Sequence, residues 1–146
     1  MGSDLQGRIQ ADLTRARKQR DKALTVLLSM TLSELRNREI AESRELTQDE
    51  AIEVVTRAVK QRKEAAEQMR AGDRHELAAK EETEADALAA YLPEALTEEA
   101  LRAIVREVIA AGASSMGPLM GQLMPRIKGR FDGREANRIV REELGV

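Results

Sequence analysis

The sequence predicts an all-α protein, an N-terminal long-helix unit followed by a compact three-helix C-terminal module. Three observations predict it. Apolar residues recur every three or four positions along the whole chain, and no period-two alternation competes with them. Capping words, Thr47-Gln48-Asp49-Glu50 the clearest, stand where those stripes begin. At Pro93 the long stripes give way to shorter ones punctuated by closer glycines.

The first helix is expected behind a cap at Ser3 or Asp4, with Leu5, Ile9, Leu13 and Ala16 on its inner face. Arg15 to Lys22 hold no core residue larger than Ala16, so a bend or solvated joint falls there. Leu24, Leu27, Leu28, Leu32 and Leu35 carry the second helix. The third starts at a capping box, in which the Thr47 oxygen accepts from the Glu50 backbone while Glu50 reaches back. It carries Ile52, Val55, Val59, Ala66 and Met69, and Gly72 is expected to stop it in the left-handed conformation. Asp73 to Glu76 repeats the capping logic for a fourth helix through Leu77, Leu88 and Leu92, which Pro93 closes.

Thr97 is the next cap, with Leu96 and Leu101 placed as a hydrophobic staple. Leu101, Ile104, Val105, Val108 and Ile109 form the inner face of a helix ended at Gly112. Ser115 is read as the cap of the next, with Pro118 in its first turn, where a missing N–H is harmless. Leu119, Met120, Leu123, Met124 and Ile127 are its buried side and Gly129 its end. Asp132 to Glu135 is read as a further capping box, opening a last helix through Ile139, Val140 and Leu144. The division expected is residues 1–93 and residues 94–146.

At 146 residues the chain is long enough to bury a sizeable core, and 42% hydrophobic with 34% charged residues is too apolar for disorder. Absent cysteines exclude disulfides, thiolate catalysis and Cys-type zinc sites. The single histidine, His75, falls in a predicted first turn and is read as an exposed polar residue rather than a catalytic base. Glu81, Glu82, Glu84 and Asp86 scatter around a helix and are read as a solvated face. No phosphate-cradling loop is spelled, and no cofactor or metal is expected. The N-terminus lacks an apolar signal core, and no apolar run approaches ~20 residues. A soluble, cytoplasmic protein with no membrane partner is expected.

Charge is distributed unevenly. The formal net charge is -2, yet residues 116–141 hold six basic against two acidic side chains, a local +4. Residues 8–38 hold eight against three, and residues 46–95 hold seven against twelve. A chain that is acidic overall but concentrates positive charge has an address for a polyanion, most commonly a nucleic acid. Tyr91 and Phe131 are the only aromatics, so stacking on single-stranded bases has little to work with. The candidate RNA-binding residues are Gly117, Gly121, Arg126, Lys128, Arg130, Arg134, Arg138 and Arg141. Gly117 and Gly121, one turn apart, would bare a strip of backbone to an RNA chain, or to a neighbouring helix of the module. Arg134, Arg138 and Arg141 share one helix face, and after Glu107 carboxylates are not expected to interleave with these cations as on an ordinary solvated surface.

Several words of the sequence carry a family resemblance: Leu46-Thr47-Gln48-Asp49-Glu50, Lys60-Gln61-Arg62-Lys63, Tyr91-Leu92-Pro93, Gly112-Ala113-Ser114, Met116 to Pro125 and Lys128 to Gly133, with Asn137 and Val140 beyond. On these the chain resembles the YqeY family, small bacterial proteins similar to the tail of the B subunit of the glutamine-dependent aspartyl/glutamyl-tRNA amidotransferase (GatB). The resemblance implies an all-helical, two-part fold with a three-helix C-terminal module. It also implies a tRNA-recognising appendage, since in the amidotransferase ATP-dependent activation belongs to a separate, larger domain. The label attached to the family is carbon-nitrogen ligase with glutamine as amido-N-donor. Such a ligase needs a nucleotide site and an ammonia source, and these residues spell neither, which points away from an autonomous enzyme. The expected function is therefore a non-catalytic tRNA-binding or amidotransferase-related accessory protein, its partners tRNA or another structured RNA and an enzyme of tRNA metabolism. The alternatives are a ligase component active only with other subunits, and a protein-protein interaction module docking a partner on its acidic middle and Met-bearing helix.

Overall fold

The computed structural model of the chain describes residues 3–146. It contains seven α-helices and, among the described residues, no strand: α1 (Asp4–Lys18), α2 (Lys22–Glu42), α3 (Gln48–Ala71), α4 (His75–Ala89), α5 (Glu98–Ala110), α6 (Met116–Ile127) and α7 (Gly133–Leu144). The fold class is all-α. The chain forms two compact units, the first ending at Leu92 and the second spanning Pro93–Val146.

In the first unit α1 pairs with α2 and α3 with α4. Ser3 caps α1 by accepting from the Gln6 N–H at 3.2 Å, and Leu5, Ile9, Leu13 and Ala16 are buried at the predicted spacing. Leu5, Ile9 and Leu13 join Leu27, Leu28, Leu32, Leu35, Leu46, Ile52, Val55 and Leu88 in one core. The Thr47–Glu50 capping box is formed in both directions, at 3.2 and 3.0 Å. Glu50 also takes a two-pronged ion pair from Arg44, and these donors pull its carboxyl down to about 2. Tyr91 ties the end of α4 to α1, its hydroxyl donating to Asp12 Oδ2 at 2.5 Å while the Arg8 guanidinium lies 5.3 Å from the ring centre.

The α3–α4 hairpin departs from the sequence reading at its turn. Gly72 has an ordinary φ of -89°, and Asp73 holds the left-handed seat at φ +62°. The 6→1 closure from Arg74 N–H to the Met69 carbonyl, 2.7 Å, places that seat one residue later than the glycine. A short carboxylate tolerates it by bonding locally, here with His75 Nε2 at 2.8 Å. Asp73 therefore does not cap α4, whose N-cap is Arg74 with no side-chain bond. Leu77, expected in the core, is exposed, because α4 turns Ala78, Ala85 and Leu88 inward. Small residues at Ala58, Ala66, Ala78 and Ala85 line the inside of the hairpin, flanked by Arg62–Glu84 and Arg70–Glu82 ion pairs.

The second unit packs α5, α6 and α7 around Leu101, Val105, Val108, Leu119, Leu123, Ile127, Ala136, Ile139 and Val140. Thr97 caps α5 by accepting from Ala100 N–H at 3.1 Å. Ser115 and Asp132 occupy the N-cap positions of α6 and α7, but neither makes a side-chain cap bond. In the second case Glu135 is drawn to Arg138 instead of reaching back, so the predicted capping box does not close. Pro125 lies inside the last turn of α6, where it cannot donate to the Gly121 carbonyl.

Candidate nucleic-acid interface

The exposed residues of α6 are Gly117, Pro118, Gly121, Gln122, Pro125 and Arg126, so this face is low, carries one charge, and bares backbone at its two glycines. A Cβ built on Gly117 or Gly121 would meet nothing within 4 Å. Close packing inside the module, the bland explanation for a Gly-x-x-x-Gly pair, is thereby removed. Gly121, in the helix interior, costs roughly 0.5–1 kcal/mol relative to alanine, and no internal packing offsets it. The three methionines of α6 are a different matter. Met116, Met120 and Met124 are half-buried against the module's own core, which leaves only part of each for the docking role considered for them.

The basic residues separate into two groups. Arg138 is ringed by carboxylates, with bonds to Glu135 at 2.8 Å and Glu142 at 2.6 Å and a longer pair to Glu98 at 3.7 Å. Arg130 donates from Nε to the Glu94 carbonyl at 2.9 Å, while its own carbonyl accepts from Leu96 N–H at 2.7 Å. These bonds hold the entry segment to the turn after α6, so Arg130 braces the module. Arg126 makes one long contact with Glu107 at 3.4 Å. Arg141 donates, among the described residues, to Asn137 alone, at 3.0 Å. Arg134 is exposed and makes no hydrogen bond or ion pair with any described residue. Lys128 is half-buried at the C-cap of α6.

Carboxylates thus do interleave with cations here, against the sequence expectation, because helix geometry returns Glu98, Glu142 and Glu143 to the same edge. Arg102, which the sequence reading did not single out, is the centre of that cluster. It donates to Glu98 at 2.8 Å, Glu142 at 2.6 Å and Glu143 at 2.9 Å, bracing α5 against α7. Arg106 adds two bonds to Glu143, at 3.1 Å each. The pairing was hidden in sequence because its partners lie about forty residues apart.

The cluster makes a pH prediction. Bonds from Arg102 and Arg138 lower the Glu142 carboxyl, and bonds from Arg106 and Arg102 lower that of Glu143. A carboxyl lowered in the folded state contributes stability above its unfolded pKa of about 4.3, lost as pH falls through the folded value. The melting midpoint of the second unit is expected to hold between about pH 7 and 5 and to fall below pH ~4.3. Arg102→Met should flatten that fall in a melt followed by circular dichroism, and an undiminished fall would reject the assignment.

Concave surface elsewhere offers less chemistry. A groove of about 480 Å³ between α2 and α3 is lined by Glu34, Arg38, Glu53, Val54, Arg57 and Gln61, without a hydroxyl or thiol nucleophile. His75 is exposed beside Asp73. Among the described residues, no group of three His, Cys, Asp or Glu could hold a metal ion, and no helix is long and apolar enough to cross a membrane.

Fold and surface together define a small helical protein whose distinctive face is a glycine-bearing helix beside partly unpaired arginines. The chain matches the family described as Yqey-like protein over residues 6–144, and it belongs to that family. Among curated proteins, none matches the chain.

Proposed function

We propose that the protein is a non-catalytic, tRNA-binding accessory of tRNA amidotransfer, with the module Pro93–Val146 as its RNA-contacting part. The observation that carries this reading is the open glycine face of α6. Gly121 weakens the helix interior, and neither it nor Gly117, one turn before it, serves packing inside the protein, which fits a surface kept low for close approach of another backbone. The cations Arg126, Arg134 and Arg141 are available for phosphates, held by no more than a single weak or neutral partner. Membership of the YqeY family and the similarity of its words to the amidotransferase tail make tRNA the RNA of choice. The chain spells no nucleotide loop and no nucleophile with its base, so recognition rather than chemistry is the role assigned.

The reading is tested with the full chain and a tRNA transcript. Binding should weaken as salt rises, log K falling linearly with log[salt], because neutralised phosphates release counterions. Gly121→Ala should stabilise α6, as the added methyl meets no neighbour, whereas Gly117→Ala brings a methyl beside the Pro118 ring and gains nothing; together the two should weaken binding. No tRNA binding by the wild type at moderate salt would sink the reading. Amide transfer on addition of ATP, glutamine, misacylated tRNA and the remaining subunits, abolished by substituting a residue of this chain, would favour the ligase-component alternative.

A further inference from the structure

The corner between α1 and α2 concentrates cations: Arg15, Arg17, Lys18, Arg20 and Lys22, with Asp21 the one acid among them. Arg15 pairs with Asp12 at 2.9 Å. The other four are exposed and make no hydrogen bond or ion pair with any described residue through their side chains. Asp21 is engaged as the N-cap of α2, its Oδ1 accepting from Leu24 N–H at 3.1 Å.

Folding accounts for only part of this pattern. Arg15, Arg17 and Lys18 stand in the last turn of α1, where positive charge complements the helix dipole. Lys22 has no such excuse, and Arg20, though beside the same helix end, takes a backbone conformation that suits it poorly. Arg20 sits at φ +57°, the left-handed position after a helix that glycine fills with least strain, in a 6→1 closure from Asp21 N–H to the Ala16 carbonyl at 3.0 Å. Lys22 is the first residue of α2, where the positive end of the dipole repels a cation, and no acid sits in that first turn. Stability alone would place glycine at the first position and glutamate at the second. Both hold cations instead.

We propose that this corner is a second binding surface for an RNA phosphodiester backbone, with Arg17, Lys18, Arg20 and Lys22 reaching phosphates from a convex helical turn. The inference rests on RNA being the partner of the module Pro93–Val146. The corner is set for backbone rather than for stacked bases, since it offers no aromatic ring and, apart from Gln19, its exposed side chains are all charged. An anionic membrane fits less well. The apolar side chains exposed nearby on α2 are Val26 and Met30, without the aromatic or leucine-rich face that interfacial helices bury, and the whole chain carries a net -2.

The test separates binding from stability, because the two move in opposite directions. Arg20→Gly with Lys22→Glu relieves the strained turn and the dipole clash, so the melting midpoint should hold or rise. Affinity for a tRNA transcript should fall about tenfold, and the slope of log K against log[salt] should drop by at least about 1.4, at ~0.7–0.9 for each phosphate no longer neutralised. Arg17→Gln with Lys18→Gln gives the same readout without touching the turn and should lower the slope by a similar amount. Unchanged tRNA affinity in both variants, while Gly117→Ala with Gly121→Ala weakens it, would overturn this inference and leave the proposed function standing. Failure of the wild type to bind tRNA would overturn both. Wild-type binding to phosphatidylserine vesicles, abolished in the corner variants while tRNA affinity stays constant, would overturn it in favour of a membrane surface.

Discussion

Leu123→Ala should unfold the C-terminal unit near room temperature. Leu123 is fully buried between α5, α6 and α7, in a core that draws all its members from residues 96–144. Truncating a buried leucine costs about 2–5 kcal/mol through forfeited transfer energy and the cavity left behind. A core of fewer than about 70 residues rarely supplies more than ~3–5 kcal/mol in total. The second number leaves little after the first is taken away. Hydrogen exchange should show the amides of α5, α6 and α7 losing protection, with the buried stripe of α1 and α2, which belongs to a different core, retaining it. Leu77→Ala is the control, since that side chain is 47% exposed and surface substitutions usually stay within about 0.5 kcal/mol. Equal loss of protection throughout the chain would mean that the two cores do not melt as separate bodies.

Legibility in the sequence followed the range of the interaction. The stripe Leu5, Ile9, Leu13, Ala16 and the capping box at Thr47 are local, three or four residues apart, and both stand as read. Interactions decided by closure of a turn were read less well. Gly72 looked like the left-handed residue because glycine is cheapest there, but hydrogen bonding across Met69 to Arg74 sets the position, and Asp73 can occupy it. Long-range pairing was not legible at all. Nothing in the order of residues says that Arg102 will meet Glu142 and Glu143, or that Arg130 will hold the Glu94 carbonyl. The candidate site mixes these cases. The glycine pair was visible from spacing, whereas its openness required knowing which side of α6 faces the core.

The arginines of the module therefore differ in what replacing them should do. Arg126, Arg134 and Arg141 are exposed, and only Arg126 meets a carboxylate, in a long pairing with Glu107 that a phosphate can displace easily. Replacing all three with alanine should lower the slope of log K against log[salt] for tRNA by about 2 to 3, at ~0.7–0.9 for each phosphate no longer neutralised, and the effect should grow as salt is reduced. Helical content and a cooperative melt should survive, because none of the three fills the core. Arg138 behaves otherwise. A phosphate would have to displace Glu135, Glu142 and Glu98 before reaching it, so Arg138→Ala should change the salt slope by less than about 0.5 while loosening the edge between α5 and α7. The comparison matters because a simple loss of positive charge predicts that each arginine removed counts equally. If Arg138→Ala alone reproduces the effect of the triple variant, the ion cluster opens to bind RNA, and the division of these side chains into bracing and binding groups is wrong.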